Sequence, residues 1–381
     1  MSLDIAQIPS PCYVLEEEKL IRNLEVLKRV QDESGCKVIL ALKGFAMWST
    51  FDLIRRYLPG CTASSLYELK LSDEQFCLNG NGENHIYSAA FRDDEFDEIC
   101  SMAGHLVFNS INQWQRFGPQ ALAADISCGI RVNPGISEVA TDIYNPCFSG
   151  SRLGVRPQHL QGADLTGIEG LHTHALCENL ADSSVRLIDA FESTFSEYIG
   201  RLKWVNFGGG HLVTHKDYNV DKLIARIRAF RDQWNVNVYL EPGGAVGWHT
   251  GPLITSVLDI VPTDTLPVAI LDISATAHMP DVLEMPYRPA VTGAGVADEN
   301  PHSYRLGGTS CLAGDVIGDY SFDAPLMIGS RLIFEDMIHY TMVKTTMFNG
   351  VRHPDIGIWH SNGTFELVRH FTYVDFRGRL S

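Results

Sequence analysis

The stretch that decides the fold is Lys37-Val38-Ile39-Leu40-Ala41-Leu42-Lys43-Gly44-Phe45. Its apolar run from Val38 to Leu42 predicts a short buried strand that ends at Lys43, directly before a glycine. In a (β/α)8 barrel the strand ends meet at one mouth, where the chemistry takes place. Apolar walls around a lysine at that mouth favour the neutral amine, which is a nucleophile. An ordinary lysine that reaches solvent is the alternative.

Strands and helices alternate from this stretch to about residue 250. Helical spacing of apolar residues marks 16–31, 183–199 and 221–234. Because this alternation continues over about 230 residues, it favours a parallel barrel over an open doubly wound sheet. Further strand-like runs occur at 85–88, 106–109, 129–133, 167–172, 204–207 and 236–240.

The pattern of apolar residues changes after Glu241-Pro242-Gly243-Gly244. Strand-like runs then follow one another with glycine and proline between them, and helical periodicity is scarce. We therefore predict an α/β chain with two domains, a barrel over 17–250 and a β domain over 251–381. The N-terminal strand within 1–16 is expected to join the β domain. The later strand-like runs are 255–261, 268–273, 331–335 and 365–374.

Composition restricts the classes of function. The chain has 381 residues, is 45% hydrophobic and 20% charged, and has a net charge of −16. Such an acidic chain is not expected to bind nucleic acid, whose phosphates require basic patches. No apolar run is long enough to span a membrane. The start, Met1–Ser10, does not resemble a signal peptide, and the nine scattered cysteines form no CxxC motif, so we expect a cytoplasmic protein.

Glu241 gives the lysine a chemical partner. It ends the apolar run Val238-Tyr239-Leu240, so it is expected at a strand end of the same barrel. A carboxylate there can pair with the protonated ring nitrogen of pyridoxal phosphate, which then withdraws electrons from a substrate. The hypothesis is that Lys43 forms a Schiff base with this cofactor. A glutamate that caps a helix or forms a salt bridge is the alternative.

Three glycines, Gly208-Gly209-Gly210, follow the predicted strand 204–207. Without Cβ atoms their backbone N–H groups can approach an anion closely, which suits a phosphate at a barrel mouth. The pattern is neither GxGxxG nor a P-loop, so it does not indicate a nucleotide. Glycine-rich turns also occur without a ligand.

His172-Thr173-His174 follows another predicted strand. One of these rings could stack on a flat cofactor. A zinc site is the alternative, and it would need His211 or Glu241 as a third ligand. A metal-dependent barrel hydrolase is therefore a rival hypothesis, although we predict no metal.

Chemistry-bearing residues also occur in the predicted β domain. Cys311 could act as a general acid, and Asp315, four residues later, could hold a cationic amine. A buried cysteine and a turn aspartate are the alternative. The hydroxyl of Tyr340 is a reasonable donor to a phosphate, but a half-buried aromatic residue would be common there.

These pieces, in this order, resemble the fold-type III pyridoxal-phosphate decarboxylases, which include ornithine, arginine and diaminopimelate decarboxylases. The resemblance covers nearly the whole chain. Within the family, four stretches are most similar to the members that act on carboxylated polyamines. These stretches are Ala41-Leu42-Lys43-Gly44-Phe45, Thr62-Ala63-Ser64-Ser65-Leu66-Tyr67-Glu68, His172-Thr173-His174-Ala175-Leu176-Cys177-Glu178 and His278-Met279-Pro280-Asp281-Val282-Leu283-Glu284-Met285-Pro286-Tyr287-Arg288-Pro289.

The resemblance implies a barrel of the alanine racemase type, a C-terminal β domain and a homodimer with shared active sites. It implies that Lys43 holds pyridoxal phosphate, that His174 stacks on its ring and that Glu241 meets its nitrogen. Cys311 and Asp315 would enter the partner's site, and Asp272 and Asp315 would contact substrate ammonium groups. The residues implied near the phosphate are Gly208, Gly209, Gly210, Gly243, Gly244 and Tyr340.

The implied reaction is decarboxylation of carboxynorspermidine to norspermidine, and of carboxyspermidine to spermidine, with Cys311 as the acid. Two departures from the family stand out. Gly244 replaces the arginine of ornithine decarboxylases, and Ala175-Leu176-Cys177 replaces the Ile-Gly-Ser of diaminopimelate decarboxylases.

A decarboxylase of diaminopimelate or another basic amino acid is the nearest rival hypothesis, and a non-catalytic binding homologue is a rival hypothesis of another class. Arg152 matches a recurrent family position without a clear role.

Overall fold

The computed structural model describes residues 3–139 and 142–381. The chain divides into two compact units. One contains the residues up to Arg22 together with Gly247–Ser381, and the other is Asn23–Val246. Met1 and Ser2, which belong to the predicted segment 1–16, lie outside the described residues. No helix in the described part of the chain is long and apolar enough to cross a membrane.

The unit Asn23–Val246 is a parallel barrel, as the sequence predicts. The lysine stretch supplies two short strands, separated by Ile39, that join the ends of the sheet. Lys37–Val38 pairs with the last strand, and Leu40–Ala41 pairs with Gly60–Ala63. The strands are Lys37–Val38, Leu40–Ala41, Gly60–Ala63, Glu83–Tyr87, His105–Phe108, Ser127–Arg131, Ile168–His172, Trp204–Asn206 and Asn237–Leu240, each paired in parallel with its neighbour.

Helices with one apolar stripe surround these strands. Ala181–Ile199 buries Leu187, Phe191 and Phe195, whose spacing places them on one face. The Phe191 ring lies 5.3 Å from that of Phe207, just after a barrel strand. Each such buried ring contributes about 1.5–3 kcal/mol. The helices are Glu17–Ser34, Phe51–Ile54, Leu66–Leu71, Asp93–Met102, Ile111–Ala123, Pro157–Leu160, Ala181–Ile199, Val220–Trp234 and Gly244–Gly247; Trp48–Thr50 and Asp142–Tyr144 are 3-10 turns and Ser72–Phe76 is a π turn.

Alternate residues of each strand point into the barrel, because side chains in a strand alternate between its two faces. Contacts between rings of different strands show which residues face inward. His85 lies 5.0 Å from Tyr239, and Tyr87 lies 5.5 Å from His172. Glu241, two residues after Tyr239, belongs to the same inward series, so it lies at the mouth of the barrel.

The second unit is a mixed nine-stranded sheet. Cys12–Glu16 lies inside it, parallel to Asp355–Trp359 and antiparallel to Leu253–Val261. The N-terminal strand therefore belongs to the C-terminal sheet. The remaining strands are Val268–Leu271, Ala294–Val296, His302–Gly307, Val316–Phe322, Arg331–Phe334 and Phe365–Arg369. Short helices at Ala275–His278, Asp281–Glu284, Tyr340–Val343 and Tyr373–Gly378 and 3-10 turns at Ile5–Gln7 and Phe348–Gly350 complete the unit.

One predicted strand is wrong in its second half. The run 365–374 forms a strand only over Phe365–Arg369, and a helix, Tyr373–Gly378, follows it. Thr372 and Asp375 form a reciprocal capping box at the start of this helix. The spacing Thr-x-x-Asp was the signal for a helix start, and the apolar residues around it suggested a strand instead.

Candidate active site

Lys43 lies at the mouth of the barrel, in a tight turn after the strand Leu40–Ala41. The N–H of Gly44 donates to the carbonyl of Ala41 at 3.1 Å. A Cβ added to Gly44 would lie 2.8 Å from the Cα of Gly243, so only glycine lets these two turns pack together. The lysine turn is thereby placed beside the turn after Glu241.

The surroundings of Lys43 favour its neutral form. Leu42 and Phe45 are buried, whereas Lys43 between them keeps some contact with solvent. Loss of hydration to the surrounding walls, followed by the positive charge of Arg131, lowers the pKa of Lys43, while Glu241 acts in the opposite direction. A lysine with a lowered pKa offers more of the free amine that attacks a carbonyl group.

Glu241 is a buried carboxylate with two fixed partners. The side-chain amide of Asn206 donates to Oε1 at 2.7 Å, and His172 Nε2 lies 3.2 Å from Oε2. Burial alone would raise the pKa of Glu241, but His172 and Asn206 more than offset it, so the pKa is lowered. The carboxylate therefore contributes stability above the pKa of an unfolded glutamate, and this contribution is lost as the pH falls through its folded pKa.

His174 is oriented by the glycine turn. Its Nδ1 accepts the backbone N–H of Gly209 at 2.9 Å, so the proton of the neutral ring lies on Nε2. Burial and the positive charges of Lys43 and Arg131 lower the pKa of His174 well below its ordinary value. At neutral pH the ring is uncharged and can stack on a flat aromatic group.

Close packing requires glycine in the turn Gly208-Gly209-Gly210, in addition to any role in binding an anion. Gly208 has a φ of +66°, and an added Cβ would lie 2.5 Å from the carbonyl oxygen of Thr173. The backbone therefore runs directly against the histidine strand, which only glycine permits. Among the described residues, the N–H groups of Gly210 and Gly243 have no acceptor. These donors, the uncharged His174 ring and the ionised Glu241 fit the phosphate, ring and nitrogen of pyridoxal phosphate.

Three further residues lie near Lys43, His174 and Glu241, and the sequence analysis does not identify them as site residues. The guanidinium of Arg131 lies 4.6 Å from the centre of the Tyr87 ring and donates to the carbonyl of His174 at 3.1 Å. Glu68 is half-buried, and burial raises its pKa, an effect that hydrogen bonding to Ser64 and then the charge of Lys43 partly offset. The available signal was polarity: Arg131 and Tyr87 occupy inward positions near the ends of otherwise apolar strands.

The other predicted site residues belong to the β unit. Cys311 is exposed, and its N–H donates to the side-chain oxygen of Asn349 at 2.8 Å. The Asp272 carboxylate accepts from Ser10 Oγ at 2.6 Å and from the backbone N–H of Ser256 at 2.9 Å. Tyr340 is half-buried and begins the helix Tyr340–Val343. Contact of Asp272 with substrate stays a prediction.

Asp315 organises the loop that holds Cys311. It is buried, and its two carboxylate oxygens accept backbone N–H groups of Ala275 at 2.7 Å and Ser310 at 3.0 Å. These bonds fix the start of the helix Ala275–His278 to the residue before Cys311. The role of Asp315 in binding an ammonium group stays a prediction, since both oxygens already have partners within the unit.

Asp315→Asn is expected to lower the free energy of unfolding by about 1–3 kcal/mol, because an amide can replace only one of the two accepting oxygens. Thermal unfolding of the variant measures this loss. Asp319→Asn is the control, since Asp319 pairs with Arg305 at a half-exposed position and should cost less than about 1 kcal/mol. If Asp315→Asn raises KM without any loss of stability, substrate binding is its main role.

The zinc alternative requires ligands around His172 and His174. Both ring nitrogens of His211 already have hydrogen-bond partners. Nδ1 lies 2.8 Å from Ser184 Oγ, and Nε2 lies 3.2 Å from the carbonyl of Phe207. Within residues 3–139 and 142–381, the compact group of potential metal ligands is not this pair but a separate one at the opposite end of the barrel. The geometry of the mouth therefore does not favour a metal-dependent hydrolase.

The barrel with its lysine, histidine and glutamate, together with the mixed sheet, defines a class of enzyme. The chain belongs to the pyridoxal-dependent decarboxylases: residues 12–338 match the family described as "Pyridoxal-dependent decarboxylase, C-terminal sheet domain". The predicted resemblance and the predicted decarboxylase class are confirmed.

Within this family, the chain is similar over nearly its whole length to decarboxylases of carboxylated polyamines and related compounds. The chain is 48% identical to the carboxyaminopropylagmatine decarboxylase of Synechocystis, over 99% of this chain and 96% of the relative. It is 45% identical to the carboxynorspermidine/carboxyspermidine decarboxylase of Campylobacter jejuni, over 97% and 98% of the two chains. The crystal structure of carboxynorspermidine decarboxylase with norspermidine from C. jejuni has a TM-score of 0.90 and 44% identity, covering 98% of this chain and 100% of that one.

Diaminopimelate decarboxylase from Helicobacter pylori shares the fold alone. Its TM-score is 0.81 at 16% identity, over 99% of this chain and 98% of that one.

Proposed function

We propose that this enzyme decarboxylates carboxylated polyamines, converting carboxynorspermidine to norspermidine and carboxyspermidine to spermidine. The observation that supports it most strongly is the end-to-end similarity, at 45% identity, to a carboxynorspermidine/carboxyspermidine decarboxylase. The inward-facing Lys43, His174 and Glu241 supply the chemistry that such a reaction needs. The net charge of −16 also suits a polycationic substrate.

Pyridoxal phosphate is the proposed cofactor. Lys43 would hold it covalently through Nζ, His174 would stack on its ring and Glu241 would pair with its nitrogen. When bound, the cofactor supplies an electron-withdrawing ring that accepts the electron pair of the broken bond between Cα and the carboxylate. The proposed phosphate donors are the backbone of Gly208, Gly209, Gly210, Gly243 and Gly244 and the hydroxyl of Tyr340.

Glu241, Lys43 and Cys311 have different roles in the proposed reaction. Glu241, kept ionised by Asn206 and His172, would hold positive charge at the ring nitrogen. Lys43, with its lowered pKa, would supply the free amine that holds the cofactor between turnovers. Cys311 delivers a proton to Cα after carbon dioxide leaves.

A homodimer with shared sites is part of the proposal. Cys311 lies exposed on a loop held by Asp315 and Asn349, which suits a residue that reaches into a partner subunit. The nine free cysteines support a reducing location such as the cytoplasm.

Mixing two inactive variants tests the shared site. Lys43→Ala and Cys311→Ala, each nearly inactive, should regain activity when their subunits exchange, because each mixed dimer contains one intact site. With equal amounts and random exchange, half of the dimers are mixed, and the activity should reach about a quarter of wild type. Complete exchange, verified by native mass spectrometry of differently labelled subunits, without any recovery would contradict sharing of Cys311.

Carboxyaminopropylagmatine is a second candidate substrate, supported by the relative at 48% identity. It ends in a guanidinium, a planar group with five donors, where carboxynorspermidine ends in a compact ammonium. A site shaped for one terminal cation binds the other less well.

A substrate panel tests the proposal and its rivals. The purified enzyme with pyridoxal phosphate is incubated separately with carboxynorspermidine, carboxyspermidine, carboxyaminopropylagmatine, diaminopimelate, ornithine and arginine, and the amine products are identified by mass spectrometry. The highest kcat/KM is expected for carboxynorspermidine or carboxyspermidine. A preference for carboxyaminopropylagmatine would support the second candidate, and turnover of diaminopimelate alone would contradict both.

A further inference from the structure

The N-terminal end of the barrel, opposite the mouth, contains a polar cluster that the decarboxylase chemistry does not use. Glu83 and His85 lie in the strand Glu83–Tyr87, and His105 begins the neighbouring strand His105–Phe108. Barrel interiors are normally filled by branched apolar side chains. A glutamate and two histidines at this end therefore call for a specific explanation.

The three side chains converge. His85 Nε2 lies 3.3 Å from Glu83 Oε2, and the rings of His85 and His105 are stacked with their centres 4.0 Å apart and their planes 13° apart. One potential ligand atom from each residue lies within 4.8 Å of the other two. A tetrahedral zinc ion with bonds of about 2.0–2.1 Å places its ligand atoms about 3.3 Å apart. The pair Glu83–His85 already has this spacing. Two stacked rings cannot both direct an in-plane lone pair at one ion, so His105 has to turn out of the stack to become a ligand.

The surroundings allow the three side chains to bind an ion from one side while its other side faces solvent. His85 is buried, whereas Glu83 and His105 are half-buried, so solvent can supply a fourth ligand. The Tyr239 ring lies 5.0 Å from His85 and fixes its position. Burial would raise the pKa of Glu83, but hydrogen bonds from His85 and Lys37 lower it to about 2, so the carboxylate is ionised.

The positive charge of Lys37 opposes a cation at this position. Its ammonium pairs with Glu83 Oε1, the oxygen that does not face His85. The lysine is about half-exposed, so it can turn toward solvent at little cost. Its presence predicts that a metal binds more weakly than it would without this charge.

We propose that Glu83, His85 and His105 form a binding site for a divalent transition-metal ion of the Zn²⁺ type. Two imidazoles and one carboxylate with an open fourth position match zinc ligation and do not suit Mg²⁺ or Ca²⁺, which prefer oxygen ligands. The ion would link two neighbouring strands at the end of the barrel opposite the mouth. This inference is independent of the proposed decarboxylation, since no residue of the mouth takes part.

Equilibrium dialysis of the untagged holoenzyme against Zn²⁺, followed by metal analysis, tests the site. About one ion per chain is expected for the wild type, with a rise in Tm. His105→Phe keeps the ring stack but removes a ligand, so the Kd for Zn²⁺ should rise at least about 100-fold. His105→Cys should restore binding because a thiolate is also a zinc ligand. His159→Phe, at an exposed position of the barrel unit, is the matched control.

Lys37→Met provides a test with the opposite sign. Removing the ammonium beside Glu83 should tighten Zn²⁺ binding about tenfold, whereas loss of a merely structural salt bridge would leave the Kd unchanged. Circular dichroism and the decarboxylase rate report whether each variant is folded. Zinc content that is the same in wild type and His105→Phe, or no retention of zinc by the folded wild type, would overturn the proposal.

Discussion

Lys43→Ala is expected to lower kcat by about 10³-fold or more and to remove the visible absorbance of covalently bound pyridoxal phosphate. Lys43 is the amine at the barrel mouth whose pKa is lowered by loss of hydration and by Arg131. Alanine leaves the turn before Gly44 intact but provides no nitrogen for the cofactor. Absorbance spectra of the purified variant, incubated with the cofactor and desalted, measure the first effect, and product formation measures the second.

The matched control is Lys203→Ala. Lys203 is an exposed lysine of the same unit, paired with Glu169 on the surface, and its loss should leave both readouts unchanged. A variant Lys43→Ala that still shows the visible band after desalting would mean that another amine binds the cofactor. Partial recovery by added small primary amines would support the assignment, since they can replace the missing nitrogen.

Glu241→Gln is expected to lower kcat by about 10²–10³-fold, the usual cost of losing one fixed electrostatic partner of a transition state. The amide can still accept from Asn206, so the local packing is retained while the charge is lost. Because Glu241 acts on the ring nitrogen and not on the polyamine, KM should change far less than kcat.

Glu169→Gln is the control for this change. Glu169 lies in the strand Ile168–His172 of the same barrel, but its carboxylate pairs with the surface residue Lys203, so its removal should not affect kcat. If Glu241→Gln turns over substrate at the wild-type rate, the carboxylate serves only to hold His172, and the assignment to the ring nitrogen is wrong.

Periodicity predicted most of the barrel because the strands are short apolar runs between amphipathic helices. The strand Gly60–Ala63 was missed, since four residues that begin with glycine resemble a turn. Lys43 and Glu241 could be found because each ends an apolar run, which in a parallel barrel places both at the mouth.

Contacts between distant segments could not be predicted. The sequence contains no sign that Arg131 lies over Tyr87, or that Asp315 accepts from Ala275, because these pairs are brought together only by the fold. The glycines after residue 207 suit phosphate binding, but close packing against the carbonyl oxygens of Thr173, Glu241 and Leu176 also requires them. Motif spacing identifies candidate residues, whereas their partners follow from tertiary structure.

The central claim is that one amine, Lys43, holds pyridoxal phosphate at the mouth of the barrel. The most direct measurement is peptide mass spectrometry after borohydride reduction of the holoenzyme, which fixes the cofactor to the nitrogen that bound it. The account predicts a single pyridoxyl-modified peptide with the modification on Lys43. Modification of another lysine in the wild-type enzyme, with Lys43 unmodified, would contradict it.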